Sequence, residues 1–283
     1  MCRYAKRFNR AMAHAACAAA LWPAAAGAQA CDTVKPWRAA AVGGAFAVGE
    51  VVVVAARHGS WWSTPTTGFH VHWDASASAE QDRLLHAAVG YHVSQLAAVA
   101  FDWSCVAPET AGWLGAALAV AAGLPKELGD GLHEAQGFSV PDMAWTTAGA
   151  ILPALHRQWP ATRVVSLEVW YWPSPEFRNR AGALPSLEND YAGQRYYVAI
   201  HPGRVPGGGG AWPDWLGVAV GHGTPHWISA PPTHVGYFTL DLSLRGLPIR
   251  SGLWRAVATV LDQVHWPMPG VKLDGEGARL GFF

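Results

Sequence analysis

Five ionisable residues stand at short spacings in otherwise apolar sequence: Asp82 with His86, Glu127 with Asp130, and Asp142. An ionised side chain among apolar neighbours is costly unless it is paired, hydrogen-bonded or metal-bound. Catalysis or ligand binding is the leading functional reason for such a set. Asp82 and His86 are four apart and share a face if the segment is helical. A carboxylate so placed orients the imidazole and raises its basicity, which suits a general base or a metal ligand. Glu127 and Asp130 are three apart at the expected end of a helix, just before Gly131, where the dipole prefers cations. Their position asks for a partner, with Lys126, Arg83 or a metal ion as candidates. Asp142 begins a further helix, where an acid is at ease. In an enzyme, His86 is the base or ligand, Asp82 its orienter, and Glu127 and Asp142 the acids or ligands, with Asp130 beside them.

Other chemistry is poorly represented. In Phe69-His70-Val71-His72-Trp73-Asp74 two histidines alternate as on a strand and could lend imidazoles to a divalent ion together with His86. The spacing matches no zinc signature, so the pattern names neither a metal nor another cofactor. His201, His222, His226 and His234 are scattered among strands and loops and read as surface or core residues. No nucleophile elbow, Walker loop, dinucleotide fingerprint or His-Glu-x-x-His occurs. The Gly207–Gly210 run lacks the Lys-Ser/Thr of a phosphate cradle. The residues leave open whether the protein is an enzyme; the alternative is an envelope structural or assembly protein whose polar set only locks helix packing.

The elements that must position these residues are apolar helices. Residues 39–56 are small-residue and valine rich, 84–101 mostly apolar, and 110–124 smooth and helix-like, with Pro125 a candidate stop. A fourth helix runs from Asp142 to about His156, with Ser139 and Asp142 as a capping-box-like start and Pro141 early in it. An up-down bundle with short connections brings the start of helix two, the end of helix three and the start of helix four to one pole. From about residue 163 the texture changes. Segments 165–171, 194–200, 215–220 and 236–244 read as strands, with Phe238, Leu240, Leu242 and Leu244 alternating against Tyr237, Thr239, Asp241 and Ser243, so that one face is buried. Ser251 caps a helix carrying Leu253, Val257, Val260, Leu261 and Val264 on one face, and a last short strand ends at Phe283. The expected class is α+β: about four apolar helices over residues 31–160, then a mostly antiparallel sheet with one further helix over 161–283.

Residues 1–30 read as a signal peptide: Arg3, Lys6, Arg7 and Arg10, an alanine-rich run, then Ala28-Gln29-Ala30 before Cys31. The 283 residues carry 20 Lys+Arg against 20 Asp+Glu, so the chain without this segment is acidic. With no basic stripe left, nucleic acid is not an expected partner. Of the four cysteines, Cys31 and Cys105 lie outside the leader, and an exported pair most simply forms one disulfide. The alternative is lipidation of Cys31, although Ala28 stands where lipoboxes carry Leu. Only 14% of residues are charged and sixteen are Trp, where about a quarter charged is usual. Contact with a membrane or envelope component is therefore expected, in the periplasm and at either membrane; protein partners are unspecified. About five or six strands are too few for a single-chain outer-membrane barrel.

At these residues the chain resembles the YfiM-like family of predicted periplasmic lipoproteins, a domain of unknown function. The resemblance rests on Trp62 with Phe69-His70, the Asp82…His86 pair, Glu127-x-x-Asp130-Gly131, and Gly137-Phe138-Ser139-x-x-Asp142 with Ala148-Gly149. It continues through Tyr196-Tyr197, Trp212 to Gly221 and Leu240 to Leu244, and so covers the chain from about residue 45. The family brings no settled activity. The acid/His frame is also similar to the VanZ-like membrane proteins, in which an Asp/His helix, a Glu-bearing helix end and an Asp-x-x-x-Asn/Asp start recur. Here Thr146 replaces the second Asn/Asp, and Arg83 the commoner Lys.

Overall fold

The computed structural model describes residues 31, 33–73, 79–178, 190–207, 212–227, 229–249 and 251–283. The leader at 1–30 and Asp74 lie outside the described residues. The class is α+β, helices first and an antiparallel sheet after them. The long helices are α1 (Pro36–Trp61), α2 (Gln81–Asp102), α3 (Pro108–Asp130) and α4 (Val140–Gln158).

Helices α2, α3 and α4 pack on one another because small residues let their backbones approach. A Cβ on Gly90 would collide with the Thr146 carbonyl, and one on Gly149 with the Ala87 carbonyl. These two glycines cross α2 over α4 and set His86 beside Thr146. Ser94 Oγ donates to the Ala150 carbonyl at 2.8 Å across the same crossing. Ala116, Ala119, Ala150 and Ala154 fill the centre. Helix α1 joins this group only through its first half, where Val42 packs on Phe101 and Ala111. The rest of α1 stands outside, with Val48 and Val51 exposed.

Helix α3 does not stop at Pro125; it continues to Asp130 with the proline inside. Proline removes one helical donor, but the last turn is held by Lys126 and Trp62, described below. The capping expected at α4 is present: Ser139 Oγ accepts from Asp142 N at 3.2 Å. Cys31 and Cys105 form a disulfide, fastening the entry of α1 to the α2–α3 turn. A two-residue parallel pair, β1 (Val71–His72) with β2 (Phe138–Ser139), clamps the segment after α1 over the α3–α4 connection.

The sheet is a meander of six antiparallel strands in chain order, β3 (Val165–Tyr171), β4 (Gln194–Ile200), β5 (Leu216–Gly223), β6 (Val235–Leu242), β7 (Pro269–Asp274) and β8 (Gly277–Phe282). A short helix, α5 (Pro175–Arg178), follows β3. Helix α6 (Gly252–Leu261) follows β6, capped by Ser251, and ends before Val264. Leu85 and Ala88 of α2 pack on Tyr196 of β4, joining helices to sheet.

The expected alternation in β6 is real, and the face it buries is the one with Tyr237, Thr239 and Asp241. Tyr237, Thr239 and Asp241 are buried at 7%, 1% and 0% exposure, whereas Phe238 is 53% exposed. Phe238 belongs to a register row, Val198–Val220–Phe238–Val271–Leu280, that runs across five strands. Close His–carboxylate contacts offset the cost of burying the polar row. His265 stacks on Tyr197 with centroids 3.8 Å apart, and His265 and His201 both reach Asp241.

Candidate functional site

Four of the five residues meet in one place. Asp82 and His86 come from the first turns of α2, Glu127 from the last turn of α3, and Asp142 from the first turn of α4. Short connections bring these helix ends to one level, as an up-down arrangement requires. Ligating atoms of Asp82, His86 and Asp142 lie within 4.8 Å of one another. The fifth residue, Asp130, sits one turn beyond Glu127 and turns away. Its oxygens accept from Trp62 Nε1 at 2.7 Å and Lys126 Nζ at 2.8 Å.

The carboxylates at the unfavourable end of α3 are thus explained. Lys126 Nζ binds Glu127 Oε1 at 3.2 Å as well as Asp130, and the Ser139 backbone N–H donates to Glu127 Oε2 at 3.2 Å. Burial opposes the Lys126 ammonium, but Glu127 and Asp130 outweigh it and hold its pKa above the usual value. Arg83 takes no part in this; it pairs with Glu80 at 2.8 Å.

His86 is the centre of the cluster. Its Nδ1 lies 3.0 Å from Thr146 Oγ1. With the N–H on Nδ1 donating to that hydroxyl, Nε2 presents a lone pair toward two carboxylates. Asp142 Oδ2 is 3.7 Å away and Glu127 Oε1 3.9 Å. Those separations exceed a hydrogen bond, about 2.7–3.2 Å. They lie near the ligand-to-ligand edge of a tetrahedral zinc shell, about 3.4 Å for bonds of about 2.1 Å. A lone pair facing two carboxylates is repulsive unless a proton or a metal cation stands between them. Burial raises the pKa of both carboxyls; His86 and Lys126 pull against it at Asp142 and at Glu127. Asp82 is held from the sheet side, where Tyr191 Oη donates to its Oδ1 at 2.5 Å. Burial and Asp82 together raise the Tyr191 pKa, so the phenol stays a donor. Among the described residues, the metal-competent group contains neither His70 nor His72.

No local sequence signal marks Tyr191, which lies 109 residues from Asp82 on a connection with no motif. A second set was also missed. Glu168, Asp241 and His265 are sealed under the sheet, with His265 Nδ1 2.8 Å from Asp241 Oδ1 and 3.3 Å from Glu168 Oε2. His201 Nε2 lies 2.9 Å from Asp241 Oδ2, Thr239 Oγ1 3.2 Å from His265 Nε2, and Ser166 Oγ donates to Glu168 Oε1 at 3.1 Å. His201 is therefore a buried core residue beside a carboxylate. The available signal was the polar row of β6, which carries Asp241 at a regular inward position. Glu168, Asp241 and His265 are buried, and the set is placed to hold strands together.

Comparisons with family models, with curated proteins and with solved structures return no match. The geometry alone carries the functional argument.

Proposed function

We propose that this is an exported cell-envelope protein of the YfiM-like type that holds a divalent cation or a polar envelope ligand between Asp82, His86, Glu127 and Asp142. The observation that carries the reading is the pair of separations at His86 Nε2, 3.7 and 3.9 Å from two buried carboxylates. Imidazole with carboxylates is the ligand chemistry of zinc, manganese or iron rather than of calcium. A cation there supplies Lewis acidity for hydrolysis or transfer on an envelope lipid or glycan. With the cation on Asp82, His86 and Asp142, Glu127 at its side is the residue placed to accept a proton, and Thr146 fixes the His86 ring.

Membrane contact is the second part of the proposal, with the four helices acting as one bundle and α1 on its lipid side. Residues Pro36–Ala56 have mean hydropathy 2.0, and hardly any of them are buried. The stretch is bracketed by Trp37 at one end and Trp61 and Trp62 at the other, the placement aromatic belts take. The faces of β6 support the same contact, because apolar-out and polar-in is the pattern of strands facing lipid.

The test is the melting temperature with and without added Zn²⁺ or Mn²⁺. The wild type is expected to gain several degrees from a cation that His86→Ala does not. Equal shifts in the two proteins, or none in the wild type, sink the proposal. A non-enzymatic role has one observation in its favour: Lys126, Trp62, Ser139 and Tyr191 give Glu127, Asp130 and Asp82 partners within the fold. In that case His86→Ala lowers stability and any cellular phenotype together.

A further inference from the structure

A cavity of ≈ 520 Å³ lies between the far ends of α2 and α4 and the edge of the sheet. It is remote from the cluster above: His156 on its wall is fourteen residues along α4 from Asp142, about 21 Å at the helical rise. Its size is that of a small-molecule site. Four guanidinium groups line it, Arg157 at the end of α4, Arg163 in the 3-10 turn Pro160–Val164, Arg204 in the turn Pro202–Arg204, and Arg245 in the turn Leu244–Gly246. Four separate segments thus bring an arginine to one cavity wall. Asp214 is the one acid on the lining.

Two of the four are neutralised within the fold. Arg157 grips Asp102 through two bonds of 2.7 and 2.9 Å, and Arg245 Nε meets Asp262 at 3.0 Å. Among the described residues, Arg163 and Arg204 have no carboxylate within ion-pair distance; Arg163 binds the His156 carbonyl and Arg204 the Ser243 hydroxyl. His156 Nε2 is buried there without a hydrogen-bond partner. Hydroxyls of Tyr91, Ser166 and Thr259 complete the polar lining, and Val99, Pro108 and Pro153 supply an apolar wall. The crowding of cations has a visible electrostatic effect. Burial first, then Arg245, Arg163 and Arg204, push the His156 imidazole down to about 4, and burial with Arg245 lowers Arg204.

We propose that this cavity binds a phosphate group. Guanidinium forks converging from several directions suit a tetrahedral anion with several acceptor oxygens better than a planar carboxylate with two. Hydroxyls on the lining offer further bonds to such a group. The apolar wall leaves room for an organic substituent, so the phosphate is either free or carried by a lipid headgroup.

The experiment is titration calorimetry on the exported chain with inorganic phosphate, with monomeric dihexanoyl phosphatidate and with acetate. Saturable binding of phosphate supports a free anion as the natural ligand, and binding of phosphatidate alone supports a headgroup. Arg163→Gln, which leaves every ion pair in place and gives up the bond to the His156 carbonyl, is expected to weaken either ligand about tenfold while the protein stays folded. Arg204→Gln is expected to do the same, and the first variant decides if the second fails to fold. Binding is also expected to weaken with added salt. The proposal is overturned if neither phosphate compound binds at millimolar concentration, if Arg163→Gln binds as tightly as wild type, or if acetate matches phosphate.

Discussion

The sealed set under the sheet makes stability fall on the alkaline side of neutrality, by an amount that can be worked out. Burial raises the Glu168 carboxyl from 4.5 to about 8, against the pull of its hydrogen bond with His265. Burial alone would lower the His265 imidazolium, but Asp241 and Glu168 carry it from 6.5 up to about 9. Both groups therefore keep protons in the folded state that the unfolded chain releases. The stability each supplies is complete below its unfolded pKa and is lost as pH rises through its folded one. Asp241 behaves oppositely. Burial would raise its pKa, but His201 and His265 hold it well below 3.8, so its contribution is already complete at neutral pH. Between pH 6.5 and 8 both protons are retained, so stability falls with a two-proton slope, on the order of 3 kcal/mol per pH unit. Glu168→Gln keeps the shape, removes one of the two protons and should halve the slope. Urea unfolding at a series of pH values, followed by Trp fluorescence, measures it. Equal slopes in the two proteins, or stability that rises with pH, would refute the reasoning.

Lys126→Met leaves Glu127 and Asp130 buried without their shared cation. A loss of about 2 kcal/mol is expected at neutral pH, less than for a fully sealed pair because Lys126 is partly exposed. The loss should shrink in acid, because burial raises the Glu127 carboxyl toward its neutral form; chemical denaturation at pH 7 and pH 5 compares the two, and a loss that grows in acid is the contrary result. Cys105→Ser opens a loop of 74 residues and should cost about 4 kcal/mol by the chain-entropy estimate. Melting with and without reductant checks this, and an acyl chain on Cys31 in intact-mass measurement would contradict the disulfide.

The helical half of the molecule is legible in the sequence because its signals are local. Ser139 and Asp142 announce the start of α4, and the four-residue step from Asp82 to His86 places both on one helix face. Short connections then leave little choice about which helix ends meet. Pro125 misleads as a stop because tertiary partners of Lys126 and Asp130 hold the last turn beyond it. In the sheet, the period of β6 is readable but its direction is not. Alternation tells which residues share a face, whereas the identity of the buried face depends on cross-strand partners such as His201 and His265, scattered far along the chain. Tyr191 and the arginine-lined cavity are invisible for the same reason: each is assembled from connections whose residues lie tens of positions apart. Helix α1 is recognisable as apolar, yet only its exposure separates it from the three helices that pack together.

The central claim is that Asp82, His86 and Asp142 share a cation, with Glu127 at its side. Elemental analysis of the protein, purified without chelator and set beside Asp142→Asn, tests it most directly. The account predicts about one equivalent of zinc, manganese or iron in the wild type. The folded variant should hold little or none. Wild-type protein that carries no divalent metal, even after incubation with these ions, would contradict it.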